Sequence, residues 1–385
     1  MEIIISNNAN KPIYEQITSQ IKAMIMSGEL QAGEAIPSMR SLAKSIHVSV
    51  ITVQKAYEDL QRDGFIETTV GRGSFVSAQN KEIDGVVGFI LSGGRMSMEN
   101  ILELQQVSKT FSKSNFALEN VTFSLPYGSI MGFVGENGAG KTTTIGCILN
   151  TIAKDSGMIK LFGKEMTDAD TDMRERIGVV YDGDNFPAYW TAAQLAKVMS
   201  GFYKQWDNIL FQKFLKEYKL PANQKIKQYS RGMTMKLAIA VALSHHPQLL
   251  ILDEATGGLD PVVRDEMLDT FLDFVQEEDH SILLSSHITS DLEKVADYIT
   301  FIHNGKLIMT VSKNDLVYNY AVMRCKENQF LALDPADIIV YRKRDFQIDV
   351  LVSDCKAMQR KYKEIVIDHV SVDEFFLLLV RGDHV

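Results

Sequence analysis

The 385-residue sequence predicts an α/β fold preceded by a separate, mostly helical domain. Two observations carry the α/β prediction. An apolar stretch runs into a glycine-rich turn and then a helix-forming segment at 129–150, and two later apolar runs, 249–254 and 281–286, end abruptly in polar residues. Continuous apolar runs of this length suit strands buried on both faces of a parallel sheet. A third observation sets the N-terminus apart: Ile13, Ile17, Ile21, Met24 and Ile25 recur at helical spacing.

The composition bounds the class of protein. Hydrophobic residues make up 45% and charged residues 23%, as in ordinary soluble chains, and 385 residues allow two or three domains. No apolar stretch approaches the roughly 18 residues that span a bilayer, and the N-terminus lacks the basic and apolar regions of a signal peptide. Cys147, Cys325 and Cys355 follow no metal-ligand spacing and read as buried thiols of a cytoplasmic protein. The net charge of −9 excludes a broad electrostatic grip on nucleic acid but not a local basic face.

In the N-terminal part, Gly28 and Gly33 bracket a turn after the first helix. Ser38 is placed to cap a short helix through Leu42 and Ala43, a break follows at His47-Val48, and Ser49 is placed to cap the next helix. The inner face of that helix would be Val50, Val53, Tyr57 and Leu60, with Thr52 and Lys55 on the free face. Two short helices joined by a brief turn follow helix-turn-helix grammar. Beyond Gly64, alternation and "TVGRGSF" predict a hairpin whose tip turns at Gly71 and Gly73 and projects Arg72. The wording from "IPSMRSLAKS" to "TTVGRGSFV" resembles the winged helix of the GntR family of bacterial transcription regulators, over about residues 11–77. The resemblance implies that Arg40, Thr52, Lys55 and Arg72, with backbone at Gly71 and Gly73, contact a double-stranded DNA operator. Lys44 and Arg62 also read as simply solvated, and for Arg62 that reading is preferred. No room remains before the next motif for the effector or dimerisation domain that usually follows such a wing.

The middle of the chain carries a phosphate-binding pattern. Gly135-x4-Gly140-Lys141-Thr142 lies between an apolar strand and a helix, the context the pattern requires. Backbone N–H groups of Gly135, Asn137, Gly138, Gly140 and Thr143 would wrap phosphates, Lys141 would neutralise their charge, and Thr142 would ligate Mg²⁺. Asp253 at the end of "LLILDE" would hold the metal's water shell, and Glu254 would orient or deprotonate the attacking water. His287 ends "SILLSSH", where a histidine can contact the γ-phosphate or be structural.

Taken in order, residues 101–312 resemble an ABC ATPase, with an added helical subdomain that carries the signature. The resemblance implies that Phe111 in "SKTF" stacks on adenine, and that "YSRGM" at 229–233 is the signature loop. Ser230 and Gly232 would then cap the γ-phosphate bound by a second subunit, and Asp260 in "GGLD" would belong to an inter-subunit loop. ATP and Mg²⁺ are the implied cofactors, and a homodimer through the ATPase domain with two composite sites is the implied assembly. An earlier "LSGGR", at 91–95, precedes the phosphate loop and reads as a decoy in the linker.

Two positions depart from the family's pattern. The signature reads Ser-Arg-Gly-Met, without the usual glutamine and one glycine, a wording familiar among exporter ATPases related to antibiotic-resistance transporters. Asp182 stands in "VVYDGDNF" where a metal-contacting glutamine is expected; a carboxylate can still ligate Mg²⁺, although it adds negative charge beside a triphosphate.

The expected division is a winged helix at 1–77, a linker at 78–99, the ATPase at 100–312 and an accessory region at 313–385. In the last, "IIVYRKRDFQIDVLVS" predicts a strand pair and "SVDEFFLLLVRG" an amphipathic helix. Two biological readings stand. In one, the chain is the nucleotide-binding subunit of an exporter fused to its regulator, cytoplasmic and recruited to the inner face of the membrane by a separate permease. In the other, it is a soluble ATP-responsive transcription regulator that transports nothing. Both DNA-reading dimers and ABC dimers are two-fold symmetric, so one axis can serve both. A linker of about 20 residues scales to roughly 25 Å, and two of them bridge half-sites about 34 Å apart. The alternative is a passive fusion whose halves ignore each other.

Overall fold

The computed structural model describes residues 1, 3–5, 12–46, 48, 50–69, 73–77, 100–112, 116–167, 170–183 and 185–384. They form two compact units, Met1–Met98 and Glu99–Val385. The expected linker at 78–99, "LSGGR" included, lies outside the described residues.

In the first unit, α1 (Ile13–Met26) buries Ile17, Ile21 and Ile25, the stripe that its spacing predicts. A short strand, β1 (Ala35–Ile36), leads to α2 (Met39–Ser45), which Ser38 caps by accepting the Ser41 N–H at 3.1 Å. Helix α3 (Val50–Arg62) lays Val53, Ala56, Tyr57 and Leu60 into the same core. Val53 and Leu60, fully buried, contribute about 1.5–3 kcal/mol each. The buried Tyr57 hydroxyl donates to the Pro37 carbonyl at 2.8 Å, which ties α3 to the start of α2. The hairpin β2 (Ile66–Thr69) and β3 (Gly73–Val76) follows, and β1 adds to it, giving the order β1-β3-β2.

The second unit opens with two long antiparallel strands, β4 (Asn100–Thr110) and β5 (Ala117–Pro126). Strand β6 (Ile130–Val134) is buried along its whole length and feeds α4 (Lys141–Ile148). Next come β7 (Ser156–Leu161), β8 (Lys164–Glu165), α5 (Thr171–Glu175) and β9 (Ile177–Val180). Three helices then pack on one another around Leu195, Phe211, Leu215 and Leu237: α6 (Ala192–Phe202), α7 (Asn208–Glu217) and α8 (Arg231–Leu243). Each has a side-chain cap, from Thr191, Asp207 and Ser230 respectively, so the sequence marks each start. This is the helical subdomain expected from the signature. The chain returns to the sheet through β10 (Leu249–Asp253), α9 (Pro261–Phe274), β11 (Ser281–Ser286), α10 (Thr289–Val295), β12 (Tyr298–His303) and β13 (Lys306–Ser312).

The result is a ten-stranded mixed sheet, order β8-β7-β4-β5-β13-β12-β6-β11-β10-β9. From β12 to β9 every pairing is parallel, and β6, β10 and β11 are buried at every residue. Parallel strands point their carboxyl ends one way, so the loops after β6, β10 and β11 converge at one edge.

Beyond Ser312 the structure adds α11 (Lys313–Tyr318), β14 (Ala321–Cys325), α12 (Glu327–Phe330), β15 (Val340–Lys343), β16 (Ile348–Val352), α13 (Cys355–Lys361), β17 (Val366–His369) and α14 (Val372–Arg381). The anticipated strand pair is β15–β16 and the anticipated helix is α14. Two further strands, β14 and β17, complete a four-stranded sheet, order β15-β16-β14-β17. This region is fused to the ATPase core. Phe301 of β12 packs against Phe375 and stacks on Phe376 of α14, with ring centres 5.4 and 5.8 Å apart, and the Val372 N–H donates to Glu293 of α10 at 2.8 Å. Across the expected boundary, the buried Lys313 ammonium donates to the Glu293 carbonyl at 3.0 Å, and burial pushes its pKa down to about 8. Phe375→Ala is therefore expected to cost about 3–5 kcal/mol, as a large aromatic lost from a packed core does. Urea unfolding should register that loss in the transition of the ATPase unit, not only in a separate C-terminal one.

Candidate functional site

The glycine-rich loop leaves the carboxyl end of β6, and α4 begins at Lys141. Gly140 has φ +114°, and a Cβ there would stand 2.7 Å from Leu118 Cδ2 and 3.0 Å from the Phe116 ring. The loop closes tightly only because this residue carries no side chain. Its N–H groups and the start of α4 form an electropositive cradle.

Lys141 is 6% exposed and donates to the Gly135 carbonyl at 2.7 Å. Its ammonium also lies 3.1 Å from Glu254 Oε1. Thr142 Oγ1 donates to Asp253 Oδ2 at 2.8 Å, and Ser285 Oγ of β11 donates to Asp253 Oδ1 at the same distance. Asp253 is thus clasped from two sides at the end of a buried strand. Glu254 adopts φ +54°, a left-handed conformation rare for a residue with a side chain and a sign of local strain. Its N–H donates to the Ser285 carbonyl at 3.0 Å, which holds the strained turn. His287 Nδ1 lies 2.5 Å from Glu254 Oε2, and the His287 N–H donates to the same oxygen at 3.3 Å. One carboxylate therefore sits between an ammonium and an imidazole, brought together from three loops.

Lys141, Thr142 and Glu254 open onto a cavity of about 320 Å³, whose lining does not include Asp253 or His287. Asn137, Gly138, Gly140, Lys141, Thr142, Thr143 and Glu254 line it, all of them expected from the sequence; Phe116 and Glu136 line it as well and were not expected. Phe111, the expected adenine partner, is not in that lining and lies 6.4 Å from Phe116, ring centre to ring centre. The strand end before it is braced by Asp155, which accepts from Lys109 Nζ and from the Thr110 N–H and hydroxyl. Lys109 and Thr110 hold the Asp155 carboxyl well below the usual carboxylate range. The Thr142 hydroxyl and the Asp253 carboxylate are hard oxygen donors of the kind Mg²⁺ takes when phosphate oxygens and water fill its other positions. Among the described residues no cluster of three or more His, Cys, Asp and Glu could cage a metal by itself.

Ser230 and Asp260 act in this protomer as helix caps. Ser230 Oγ accepts the Met233 N–H at 3.2 Å, and Asp260 Oδ1 accepts the Val263 N–H at 3.1 Å. A Cβ at Gly232 would lie 3.4 Å from Val263, so the start of α8 runs alongside the start of α9. Asp182, expected to ligate the metal, pairs here with a side chain of the signature loop. Its carboxylate accepts from Arg231 Nη2 at 2.8 Å and has no hydrogen bond to Thr142 or Asp253. The guanidinium of the signature loop reaches it first.

On the winged helix, one expectation is corrected. Thr52 is 3% exposed and is not on the free face of α3. The buried stripe is wide, and Thr52 stands one helical turn ahead of Ala56 and two ahead of Leu60, both fully buried. Lys55 is half-buried, its ammonium 4.4 Å above the Tyr14 ring of α1, and Arg40 is half-buried on α2. Gly73 is exposed at the start of β3, opposite Thr69. His47, Ser49, Gly71 and Arg72 lie outside the described residues. Arg62 is 71% exposed and pairs with its neighbours Asp59 and Asp63, as a solvated surface residue does.

Comparison with known proteins gives two family matches. The ABC transporter family matches residues 118–257, and the bacterial regulatory proteins of the gntR family match residues 13–76. The bacitracin transport ATP-binding protein BcrA of Bacillus licheniformis is 35% identical over 217 residues, 55% of this chain and 69% of that protein. The lantibiotic transport ATP-binding protein SrtF of Streptococcus pyogenes is 33% identical over 211 residues, 54% of this chain and 90% of that protein. Among solved structures, an ATP-binding subunit of an ABC transporter aligns with a TM-score of 0.52 at 26% identity, covering 56% of this chain and 91% of that one.

Proposed function

Because the chain belongs to the ABC transporter ATP-binding proteins and carries a gntR-family domain ahead of the ATPase, we propose that it is an ATP-hydrolysing subunit that also reads DNA. The observation that carries the ATPase reading is Glu254, held between Lys141 and His287 directly after the Thr142–Asp253 pair. Lys141 and the start of α4 bind the β- and γ-phosphates. Thr142 and Asp253 hold Mg²⁺, which supplies charge neutralisation along the triphosphate when bound. Glu254 accepts the proton of the attacking water, and His287 fixes the carboxylate from its far side. Ser230, Gly232 and Asp260 face the nucleotide of a second copy, so two composite sites form in a homodimer. Phosphate release from ATP·Mg²⁺ by the purified chain tests this. A chain that binds ATP through Lys141 and releases no phosphate, even at dimer-forming concentrations, would overturn it.

The subunit serves an exporter through a separate permease. Among the described residues no helix is long and apolar enough to cross a membrane. The helical subdomain exposes Phe202 and Ile209, at 75% and 84%, apolar side chains suited to a membrane partner. The relatives are named for transport of bacitracin and of a lantibiotic, which supports this reading. The gntR-family domain favours a second reading, an ATP-responsive regulator without a transport role. Co-purification with a multi-spanning protein separates the two.

Operator binding belongs to residues 11–77, through Lys55, Arg40 and the wing residues Gly71, Arg72 and Gly73. Arg72→Ala is expected to weaken operator binding by about 1–3 kcal/mol, the worth of a good base-edge contact. Phosphate release should be unchanged. Titration of a labelled operator at fixed salt measures the first, and equal affinity of the two proteins would remove Arg72 from the interface.

A further inference from the structure

Arg231 and Asp182 both depart from the pattern that the ABC resemblance implies, and in the structure they meet. Arg231 is the first residue of α8, beside Ser230 of the signature loop. Its Nη2 donates to Asp182 Oδ1 at 2.8 Å, although the two residues are 49 apart in sequence. The same guanidinium lies close against Gly258. A Cβ at Gly258 would stand 2.9 Å from Arg231 Cζ and 3.1 Å from Nη1, and Gly258 has φ +66°. Gly258 belongs to the turn that runs from Glu254 to Asp260. The loop holding Asp182 is itself stapled by Asn185, whose side chain accepts the Tyr181 N–H at 3.0 Å and donates to the Tyr181 carbonyl at 2.9 Å. One side chain therefore joins three loops: the signature, the turn after β10 and the loop after β9.

We propose that Arg231 and Asp182 form an intrasubunit clasp that positions the signature loop for the nucleotide of the second copy. Half-exposed as they are, the two charges add little to stability. What the pair supplies is placement. With Arg231 anchored to Asp182 and seated on Gly258, Ser230 and Gly232 keep a fixed distance from Glu254 and Asp260 before the dimer closes. The pairing also neutralises the carboxylate that would otherwise stand unbalanced near a triphosphate. Arg231 and Asp182 are thus positioning residues, and each substitution makes sense only in the presence of the other.

The proposal rests on the ATPase reading, and a double-mutant cycle in the full chain tests it. Arg231→Ala and Asp182→Ala are each expected to lower kcat about tenfold at little change in ATP binding to the single protomer. The double variant should lose about tenfold as well, not the roughly hundredfold of two independent effects. A second readout needs no turnover: hydrogen exchange of the amides at 229–234 in the nucleotide-free chain. It should quicken in each single variant and by the same amount in the double, and Gly258→Ala should quicken it too by displacing the guanidinium. Additive losses in kcat, or unchanged exchange in both single variants, overturn the clasp. A parent chain that hydrolyses no ATP overturns the ATPase reading instead, and the exchange measurement still decides whether the clasp exists.

Discussion

Glu254→Gln is expected to leave ATP binding intact and to slow hydrolysis by about 10²- to 10⁴-fold, the usual worth of a general base. The substitution keeps the shape of the side chain. An amide retains a carbonyl oxygen to face Lys141, 3.1 Å from Oε1 in the parent, so the phosphate site keeps its form. What is lost is the ability to accept a proton from water. The imidazole that lies 2.5 Å from Oε2 cannot substitute, because it is oriented toward Glu254 itself. Trapped before hydrolysis, the variant should accumulate as an ATP-bound dimer, visible as a doubling of mass in sedimentation with ATP and Mg²⁺. Lys141→Ala should behave differently and lose binding, since it removes the buried ammonium at the centre of the cradle. A Glu254→Gln protein that turns over ATP at the parental rate would falsify the base assignment.

With that trapped protein, operator affinity is expected to rise by about 10²- to 10⁴-fold on addition of ATP·Mg²⁺, relative to ADP or no nucleotide. The reasoning is one of tethering. A reader of the gntR type engages two half-sites as a dimer, and the ATPase of this chain is a candidate dimerising element. When ATP joins two copies, two winged helices are held at an effective concentration near the millimolar range. The second half-site then binds within one complex, without a new encounter. Hydrolysis should then open the dimer and release the operator. Titration of a labelled two-half-site operator at fixed salt, with each nucleotide in turn, measures the effect. Equal affinities in all three conditions would mean that the two activities share a chain and nothing more.

The site was legible where chemistry demands a fixed local spacing. A loop that wraps phosphates needs its glycines, lysine and threonine within a few residues, and a buried parallel strand announces itself as an unbroken apolar run. The helix start at Ser38 was similarly marked by a hydroxyl one residue before the helix. The remainder depended on contacts between distant segments. Ser285 steadies Asp253 from a neighbouring strand, and a serine at the end of an apolar run carries no signal of that role. Phe116 reaches the cavity because β5 begins beside Gly140, a relation set by sheet pairing. Thr52 was misplaced because a 3.6-residue period locates the centre of a buried stripe better than its edges. The strands β14 and β17 were missed for a related reason, since their short segments alternate weakly and gain their identity from pairing with each other.

The aromatic packing of Phe301 against Phe375 and Phe376 has a bearing on how such proteins can be recombined. The chain invites treatment as a set of exchangeable modules, and a cut after Ser312, where the last strand of the large sheet ends, looks like a natural seam. It would pass through a hydrophobic core. A chimera that takes its ATPase from one relative and its final 73 residues from another inherits two halves of an interface shaped by different histories. Such hybrids should express poorly unless α14 travels with β12.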